Sequence, residues 1–478
     1  MCVNAEKPGT KTRFEFNQSM SPSLALLLWI LFSLALLYLD PAKQTRMSFL
    51  LWVPVIWIII METRLPSQWL TGSVASATQA LEEGNPLDRS IYATLILLAI
   101  GTLVSRSFSW TAFFSKNVAL TAFILFGLVS VCWSDYTFIA FKRWFRDLGN
   151  YLVLLVALSD PRPIDAIRAV FRRVYYLLVP LSIVLIKYYP SIGKQYNPWT
   201  GLAEYTGATL SKNMLGLLCM FAGLFFFWDT MTRWSNRKEA KTKRIILVNT
   251  VFIAQMLWLL QLSHSATSSV CLLLGCAVIA MAHSKMSRRR PNLLKWLIPA
   301  SLCLYLILAF GFNMSGELAG VVGRDPTLTG RTNIWKAVLS TNTNWLMGTG
   351  YESFWLGPRL EHVWALAGPV NEAHNGYLQL YLNQGVCGLF LLAALLFRSF
   401  RTIFRRLASS TELPSLTAAL WIVALFYNMT EAAFTPGFMC ITFLIGTIAV
   451  PRRRMTLRRV LNEELSVKVL QSPHGGVA

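Results

Sequence analysis

Long apolar segments separated by short polar stretches follow one another along nearly the whole chain. A membrane-spanning helix needs about 20 mostly apolar residues, and flanking polar residues can complete a shorter segment. The pattern therefore predicts about 12 or 13 spans. They are Ser23–Leu39, Ser48–Met61, Ile91–Val104, Asn117–Trp133, Phe141–Leu158, Val174–Tyr189, Met214–Asp229, Ile245–Leu262, Ser268–His283, Trp296–Phe312, Tyr377–Phe397, Leu416–Phe434 and Phe438–Val450.

The composition agrees with a membrane protein. Apolar residues make up 54% of the chain and charged residues 14%, whereas soluble domains carry about 25% charged residues. A soluble protein of 478 residues could not bury so much apolar surface, and a disordered chain would be more polar. The sequence thus predicts an all-α integral membrane protein.

The predicted spans divide the chain into five parts. These are a polar N-terminal segment (1–22), the first ten spans (23–312), a large extracytoplasmic loop (313–376), the C-terminal spans (377–450) and a basic tail (451–478).

The distribution of charge predicts the orientation of the spans. The net charge is +21, and the segments Thr232–Arg244, Ser284–Lys295, Arg398–Arg406 and Arg452–Arg454 are strongly basic. Basic loops are typical of the cytoplasmic side, so this charge needs no nucleic acid to explain it. Segment 313–376 is slightly acidic and is predicted to lie on the outer side. When the spans are counted back from these basic cytoplasmic loops, a total of 13 would put the N-terminus outside and a total of 12 would put it inside.

The cysteine pattern gives no sign of a metal or disulfide site. The eight cysteines are scattered without a C-x-x-C pair, so they are expected to pack as small apolar residues. The chain also has no D-x-D pair, a motif that commonly holds a metal ion. We therefore expect neither a bound metal nor a cofactor.

Several cations fall on the predicted outer side, against the usual charge bias. Lys142, Arg143 and Arg146 share helix faces at the start of a span, and either take partners within the membrane boundary or reach to lipid headgroups. Lys212 opens a predicted helix, where a cation opposes the helix dipole and a bound anion would stabilise it. Tyr196 and Trp199 precede it and either anchor the chain at the interface or stack on a ligand.

The segment Asn313–Gly376 is far longer than an ordinary connection. It contains one clear amphipathic piece, Asn333–Leu339, and several tryptophans that are costly to leave in water. Arg331 offers a forked donor suited to phosphate. His374 could act as a general base near neutral pH, although a lone histidine at a helix start more often caps or packs.

Motifs in this loop, in the span that follows it and in earlier parts of the chain resemble the O-antigen ligase and polymerase family. His374-Asn375, nine residues, Gly385, two residues and Gly388 fit the signature H-[NSQ]-x9-G-x2-[GTY]. Gly330-Arg331 with Trp335 is similar to a second family marker. The weaker motifs Pro-Ser-Gln-Trp (66–69), Glu-Gly-Asn-Pro-Leu-Asp-Arg (83–89) and Ser-Lys-Asn-Met-Leu-Gly (211–216) resemble an exopolysaccharide polymerase branch.

The resemblance implies a metal-independent glycosyltransferase in the bacterial inner membrane, with its active site facing the periplasm. Its donor would be a glycan on undecaprenyl pyrophosphate, and its acceptor another lipid-linked glycan or a lipid A–core. Arg331 would hold the pyrophosphate and His374 would activate the acceptor hydroxyl. Flippase and chain-length regulator partners would belong to the same system.

The other charged and polar candidates are assigned from their placement. We expect Arg143, Arg146 and Lys212 to share the pyrophosphate. Tyr196, Trp199, Asn375, Glu352 and Glu372 are expected to contact the sugars.

Three functions remain open at this stage. A polymerase of lipid-linked repeat units is favoured, and a ligase that transfers the glycan to a lipid A–core would use the same catalytic residues. A carrier or flippase for an anionic lipid is less favoured, because the candidate cations cluster on the outer side and not at mid-membrane.

Overall fold

The structure is a computed structural model that describes residues 20–39, 49–71, 84–196, 201–284 and 329–451. The predicted span Trp296–Phe312, the candidate Trp199, and almost all of the N-terminal segment and the tail lie outside the described residues.

Helices make up most of the described chain. Those before the short hairpin are α1 (Pro22–Tyr38), α2 (Trp52–Glu62), α3 (Pro66–Thr71), α4 (Pro86–Ser105), α5 (Trp110–Lys116), α6 (Val118–Val129), α7 (Thr137–Leu158), α8 (Pro163–Tyr188) and α9 (Pro190–Gly193). The hairpin pairs β1 (Lys194–Tyr196) with β2 (Ala203–Tyr205) in antiparallel register, with Lys194 opposite Tyr205.

The second half of the described chain is also helical. Its helices are α10 (Lys212–Arg233), α11 (Ala240–Ser263), α12 (Ala266–His283), α13 (Thr329–Leu339), α14 (Gly357–Ala367), α15 (Gly376–Leu407), α16 (Glu412–Tyr427), α17 (Pro436–Met439) and α18 (Ile445–Thr447). A π-helix (Cys440–Leu444) joins the last two, and short 3₁₀ helices cover Phe49–Leu51, Ser130–Trp133 and Trp234–Asn236.

The helices carry the length and apolar character of membrane spans. In the described ranges six helices are long and apolar enough to span a membrane: α4, α8, α10 with its 3₁₀ extension, α11, α12 and α15. A seventh span is formed if α5 and Val118–Trp133 count as one. Those two bend by 100° at the break between them. Shorter apolar helices cover Pro22–Tyr38, Phe49–Glu62, Glu412–Tyr427 and Pro436–Thr447. The predicted helical membrane fold is confirmed.

Close helix packing surrounds α10 at the centre of the bundle. A Cβ atom at Gly216 would lie 2.5 Å from the Cβ of Ser265, and one at Gly223 would lie 2.6 Å from Cε of Met256. The absence of side chains at these positions lets α11 and α12 approach α10 closely. Trp228, near the far end of the same helix, is fully buried.

A buried ion cluster fixes the end of α10 that lies away from Lys212. Asp229 is fully buried, with Nε of Arg233 at 2.9 Å, Nε of Arg168 at 3.2 Å and Nη2 of Arg172 at 3.4 Å from its carboxylate oxygens. Nδ2 of Asn249 donates to the same carboxylate at 3.0 Å. The cluster joins α8, α10 and α11, and losing Asp229 would leave buried cations without compensation.

The described part of the predicted long loop is folded. Helices α13 and α14 pack with α15 around a small apolar core, which includes Val338, Phe354, Trp355, Val363 and Leu382. The prediction of one helix here is confirmed by α13, and α14 is a second helix that the apolar pattern did not indicate. Burial of Trp355 agrees with the expected cost of leaving indoles in water, whereas Trp345 stays 64% exposed.

One predicted span ends earlier than its apolar pattern indicates. The prediction treated Leu416–Phe434 as continuous, but α16 ends at Tyr427. Nδ2 of Asn428 donates to the Ala424 carbonyl at 2.8 Å, and its Oδ1 accepts from the Ala433 N–H at 2.9 Å. This side chain takes over hydrogen bonds of the helix end and turns the chain away, so 428–435 is a loop beside the start of α15.

Candidate active site

The predicted histidine lies at the start of α15. Asn375 is the N-cap residue, and its Oδ1 accepts a hydrogen bond from the Leu378 N–H at 3.0 Å. His374 itself has φ 47°, a left-handed conformation that is uncommon for a residue with a side chain. The chain therefore turns sharply just before the helix, and the imidazole is held beside the helix start.

Two carboxylates face one nitrogen of this imidazole. Nδ1 of His374 lies 2.9 Å from Oε1 of Glu372 and 3.6 Å from Oε2 of Glu431. Glu372 is partly exposed, whereas only 8% of the Glu431 side chain is exposed. With Nδ1 directed at the carboxylates, Nε2 is the ring nitrogen left for a substrate.

Glu431 also binds the predicted arginine. Nη2 of Arg331, on α13, lies 3.1 Å from Oε1 of Glu431. Nδ2 of Asn213, in the first turn of α10, lies 3.4 Å from the same oxygen. One buried carboxylate therefore joins the loop helix α13, the central helix α10 and the histidine before α15.

The turn that carries Glu431 is fastened to the start of α15. The Gly376 N–H donates to the Asn428 carbonyl at 2.8 Å, and a Cβ atom at Gly376 would lie only 1.9 Å from Oδ1 of Asn428. Only glycine fits at this close approach. Nδ2 of Asn375 also reaches the Met429 carbonyl at 3.4 Å. These contacts set the distance between His374 and Glu431.

The two glycines of the sequence signature shape the helix below the histidine. Gly385 has φ 63° and interrupts α15. The Val386 N–H there donates to the Trp345 carbonyl at 3.0 Å, and the Thr349 N–H donates to the Leu382 carbonyl at 3.0 Å. The loop that follows α13 is thus hydrogen-bonded into the break. At Gly388, a Cβ atom would lie 2.4 Å from that of Gln384.

Lys212 lies next to this group but takes its own partner. Its Nζ lies 2.7 Å from Oε1 of Glu204, on β2. The anion expected beside the helix N-terminus is therefore supplied by the chain itself. The next residue, Asn213, contacts Glu431. Lys212 is therefore adjacent in sequence to a residue of the cluster around Arg331 and His374.

Arg143 and Arg146 belong to a second charged group on α7. Nη1 of Arg143 donates to the backbone carbonyl of Glu352. Nη2 of Arg146 lies 3.0 Å from Oδ1 of Asp147, whose other oxygen accepts from the Tyr351 hydroxyl at 3.0 Å. Of the two alternatives for these arginines, the structure gives the one with partners, which lie in the loop 351–352 and on α7.

The remaining predicted contacts are distributed around these groups. Glu352 has φ 50° and lies in the second group. Burial raises the pKa of its carboxyl group and Asp147 raises it further, while Arg143 and Arg146 oppose the shift. Tyr196, at the end of β1, is 71% exposed.

The carboxylates around His374 determine its charge. Burial lowers the pKa of the imidazole, but the negative charges of Glu372 and Glu431 beside Nδ1 outweigh burial and raise that pKa to about 9. At neutral pH the ring is therefore mostly protonated and forms part of an ion cluster with Arg331 and the two carboxylates.

The same three side chains have the donor set of a metal site. One ligand atom each from Glu372, His374 and Glu431 lies within 4.8 Å of the others. Two carboxylates and an imidazole suit a divalent transition metal. Arg331 opposes such an ion, because its guanidinium already neutralises one oxygen of Glu431.

A comparison with known proteins covers part of this site. Residues 251–393 match the O-antigen ligase family. The match includes Arg331, His374 and both signature glycines, and the resemblance inferred from the sequence is confirmed. Together with its spans, this match makes the chain a multi-pass membrane protein with a helical fold.

A curated relative gives the second finding. The chain is similar to the exopolysaccharide production protein ExoQ of Rhizobium meliloti (strain 1021), with 26% identity over 361 residues. The alignment covers 71% of this chain and 79% of that protein. Both similarities are to proteins of polysaccharide assembly.

Sequence reasoning missed the residue at the centre of the cluster. Glu431 lies within the predicted span Leu416–Phe434 and outside the family match, and it was not singled out. An acidic residue inside an apolar segment is itself a signal of function, and that signal could have identified it.

Proposed function

We propose that this chain is a membrane glycosyltransferase that joins lipid-diphosphate-linked glycan repeat units into an exopolysaccharide or O-antigen polymer. The observation that carries the proposal is the bridge of Glu431 between Arg331 and His374. It places a phosphate-binding cation and a base beside one buried carboxylate, within a chain that has the membrane helices needed to hold a lipid-linked substrate.

The proposed reaction exchanges one bond at the anomeric carbon of the donor. The acceptor hydroxyl oxygen forms the new bond to this carbon, and the bond from the carbon to the diphosphate oxygen breaks. The hydroxyl proton moves to Nε2 of His374, and the lipid diphosphate departs with the bonding electrons. A diphosphate is a good leaving group, so catalysis needs orientation, cationic stabilisation and a modest base.

Arg331 is proposed to hold the departing diphosphate. Its planar fork binds phosphate oxygens in pairs, and one side of the fork already lies against Glu431. The carboxylate thus fixes the direction of the guanidinium before substrate arrives. Lys212, next to Asn213 in the chain, is proposed to share this diphosphate. Arg143 and Arg146 are proposed to share it from the second charged group.

His374 is proposed to act as the base through its Nε2 atom. Glu372 and Glu431 hold Nδ1 and raise the basicity of the ring. With a pKa of about 9, only about 1% of the imidazole is neutral at pH 7. At neutral pH His374 is therefore a strong base that is mostly protonated. Because the neutral ring is the proposed base, turnover should rise as the pH increases.

The other candidates are proposed to serve sugar binding in different ways. Asn375 caps α15 and Glu372 lies against Nδ1 of His374, so both are proposed to act on the substrate through His374. Glu352 and the exposed Tyr196 keep groups that can contact sugar hydroxyls or rings. Trp199 is retained from the sequence alone.

The surroundings of the enzyme follow from its charge pattern. The basic segments after α10 and α12 favour a cytoplasmic position for those helix ends, so the His374 cluster is proposed to face the periplasm of a bacterial inner membrane. Residues 313–376 would then form the periplasmic catalytic part. The proposal includes metal independence, no cofactor, and a flippase and a chain-length regulator as partners.

Turnover by the purified protein is the direct test. The wild type should extend a defined undecaprenyl-pyrophosphate oligosaccharide without any other protein, and His374→Ala should lose about 10²- to 10⁴-fold in rate. His362→Ala is the matched control, because His362 contacts Ser340 on the loop surface at 3.2 Å. Normal turnover by His374→Ala at the same concentration of purified enzyme would contradict the proposal.

A ligase is the second candidate, and the O-antigen ligase match favours it. The similarity to an exopolysaccharide production protein favours the polymerase instead. Mass analysis of the reducing end separates them, since a polymerase leaves lipid pyrophosphate there and a ligase leaves lipid A–core. Formation of a glycosidic bond by purified protein would exclude a pure carrier.

A further inference from the structure

A large groove lies at the end of α15 that is remote from His374. It has a volume of about 860 Å³ and is formed by the start of α6 and the last three turns of α15. Its walls include Val118, Phe397, Arg398, Phe400, Arg401 and Arg405. None of these residues takes part in the proposed reaction.

The position of the groove corresponds to the surface of a membrane. After the break at Gly385, α15 is wholly apolar from Val386 to Phe397, and Arg398 is the first charged residue that follows. Arg398 is therefore the point at which α15 leaves the hydrocarbon. The adjoining helix α5 meets the α6 segment at 100°, as expected of a helix lying along the surface beside a span.

The charges in the groove are of one sign. Arg398, Arg401 and Arg405 repeat at intervals of three and four residues and lie on the same face of α15, and the lining residues include no acid. Nη2 of Arg398 donates to the Lys116 carbonyl at the end of α5. Arg401 lies 6.0 Å from the ring centre of Phe397. Like charges at this spacing repel each other, so an anion between them would stabilise the helix end.

We propose that this groove binds the headgroup of an anionic phospholipid, with its acyl chains against the phenylalanines. The phosphodiester would lie between Arg401 and Arg405, at headgroup depth, while Phe397 and Phe400 face the chains. The basic segments 285–295 and 452–454 suit the groove less well, because they carry only cations among their charged residues. The bound lipid would fix the end of the helix whose other end carries His374.

Lipid titration of the purified full-length protein tests this inference. The protein would be placed in phosphatidylcholine nanodiscs with increasing phosphatidylglycerol, and both the thermal unfolding temperature and the lipid retained in native mass spectra would be measured. For wild type we expect unfolding temperature to rise with phosphatidylglycerol. In Arg401→Gln/Arg405→Gln the phosphatidylglycerol needed for half the effect should rise about tenfold.

The control removes the same charge elsewhere on the basic side. Lys238→Gln/Lys243→Gln changes two exposed cations, one in the connection after α10 and one in the first turn of α11, and should bind phosphatidylglycerol as wild type does. Arg401→Lys/Arg405→Lys keeps the charge and should recover most of the binding, which guards against a folding defect in the glutamine variant. Equal loss in the control, no binding by wild type, or the same stabilisation by inorganic phosphate alone would each overturn the proposal.

Discussion

Oε1 of Glu431 lies 3.1 Å from Nη2 of Arg331, although the two residues are 100 positions apart in the chain. The other oxygen of the same carboxylate lies 3.6 Å from Nδ1 of His374. The candidate active site is therefore assembled from two loops that meet at one carboxylate, and substitutions there should affect both the cation and the base.

Replacing Glu431 by glutamine should lower turnover more than it lowers stability. The amide keeps the shape but loses the charge that orients Arg331. We expect a loss of about 10- to 100-fold in kcat, below the loss from removing the base itself. Steady-state kinetics on a lipid-linked oligosaccharide would measure it. Glu361→Gln, which changes an exposed acid on α14, should have wild-type kinetics. A Glu431→Gln enzyme with unchanged kcat would exclude the positioning role.

The pH dependence should report the charge on His374. Because the neutral ring is the base and its pKa is about 9, wild-type turnover should rise with pH up to about 9. Glu372→Gln removes one of the anions that raise this pKa. The pKa should then fall, and the rising part of the profile should move to lower pH. Turnover that falls as the pH passes 9 would instead mean that the imidazolium is the active form, acting as a cation on the diphosphate.

Chelation should leave turnover unchanged if the reaction is metal-independent. The triplet of Glu372, His374 and Glu431 could accept a divalent ion, so this is a real alternative. Activity after treatment with EDTA and dialysis would be compared with that of untreated protein. Loss of activity that is restored by a specific divalent ion would assign a metal to this triplet.

Gly376→Ala should damage the site through its backbone. The added methyl group would meet Oδ1 of Asn428 at 1.9 Å, and the turn that carries Glu431 would have to shift. We expect a destabilisation of about 1–3 kcal/mol, typical of overpacking, together with reduced turnover. Gly101→Ala is the control, since a Cβ atom there meets nothing within 4 Å. Equal effects of the two substitutions on turnover would show that the contact is unimportant.

Much of the site could be predicted from short motifs, because these residues act through local backbone geometry. His374 and Asn375 form a turn and a helix cap, and Gly385 takes a left-handed conformation, so each leaves a fixed spacing in the sequence. Arg331 was found in the same way, as the cation at the start of an amphipathic helix.

The partners of these residues could not be predicted, since they depend on which distant segments meet. Glu431 lay within an apolar stretch, and the turn after Tyr427 depends on hydrogen bonds made by Asn428. The pairing of Lys212 with Glu204 depends on the β hairpin, whose short strands have no distinctive pattern. The separation of Arg143 and Arg331 into two groups likewise depends on distant contacts. Arg143 donates to the Glu352 carbonyl in the loop after α13, whereas Arg331 contacts Glu431.

The interruption of α15 at Gly385 has a mechanical consequence. Backbone hydrogen bonds on both sides of the break join the helix to the loop that follows α13. The turn that carries Glu431 is fastened to the start of the same helix through Gly376 and Asn375. The base and the carboxylate beside it are therefore expected to keep one spacing while a bulky sugar chain enters and leaves.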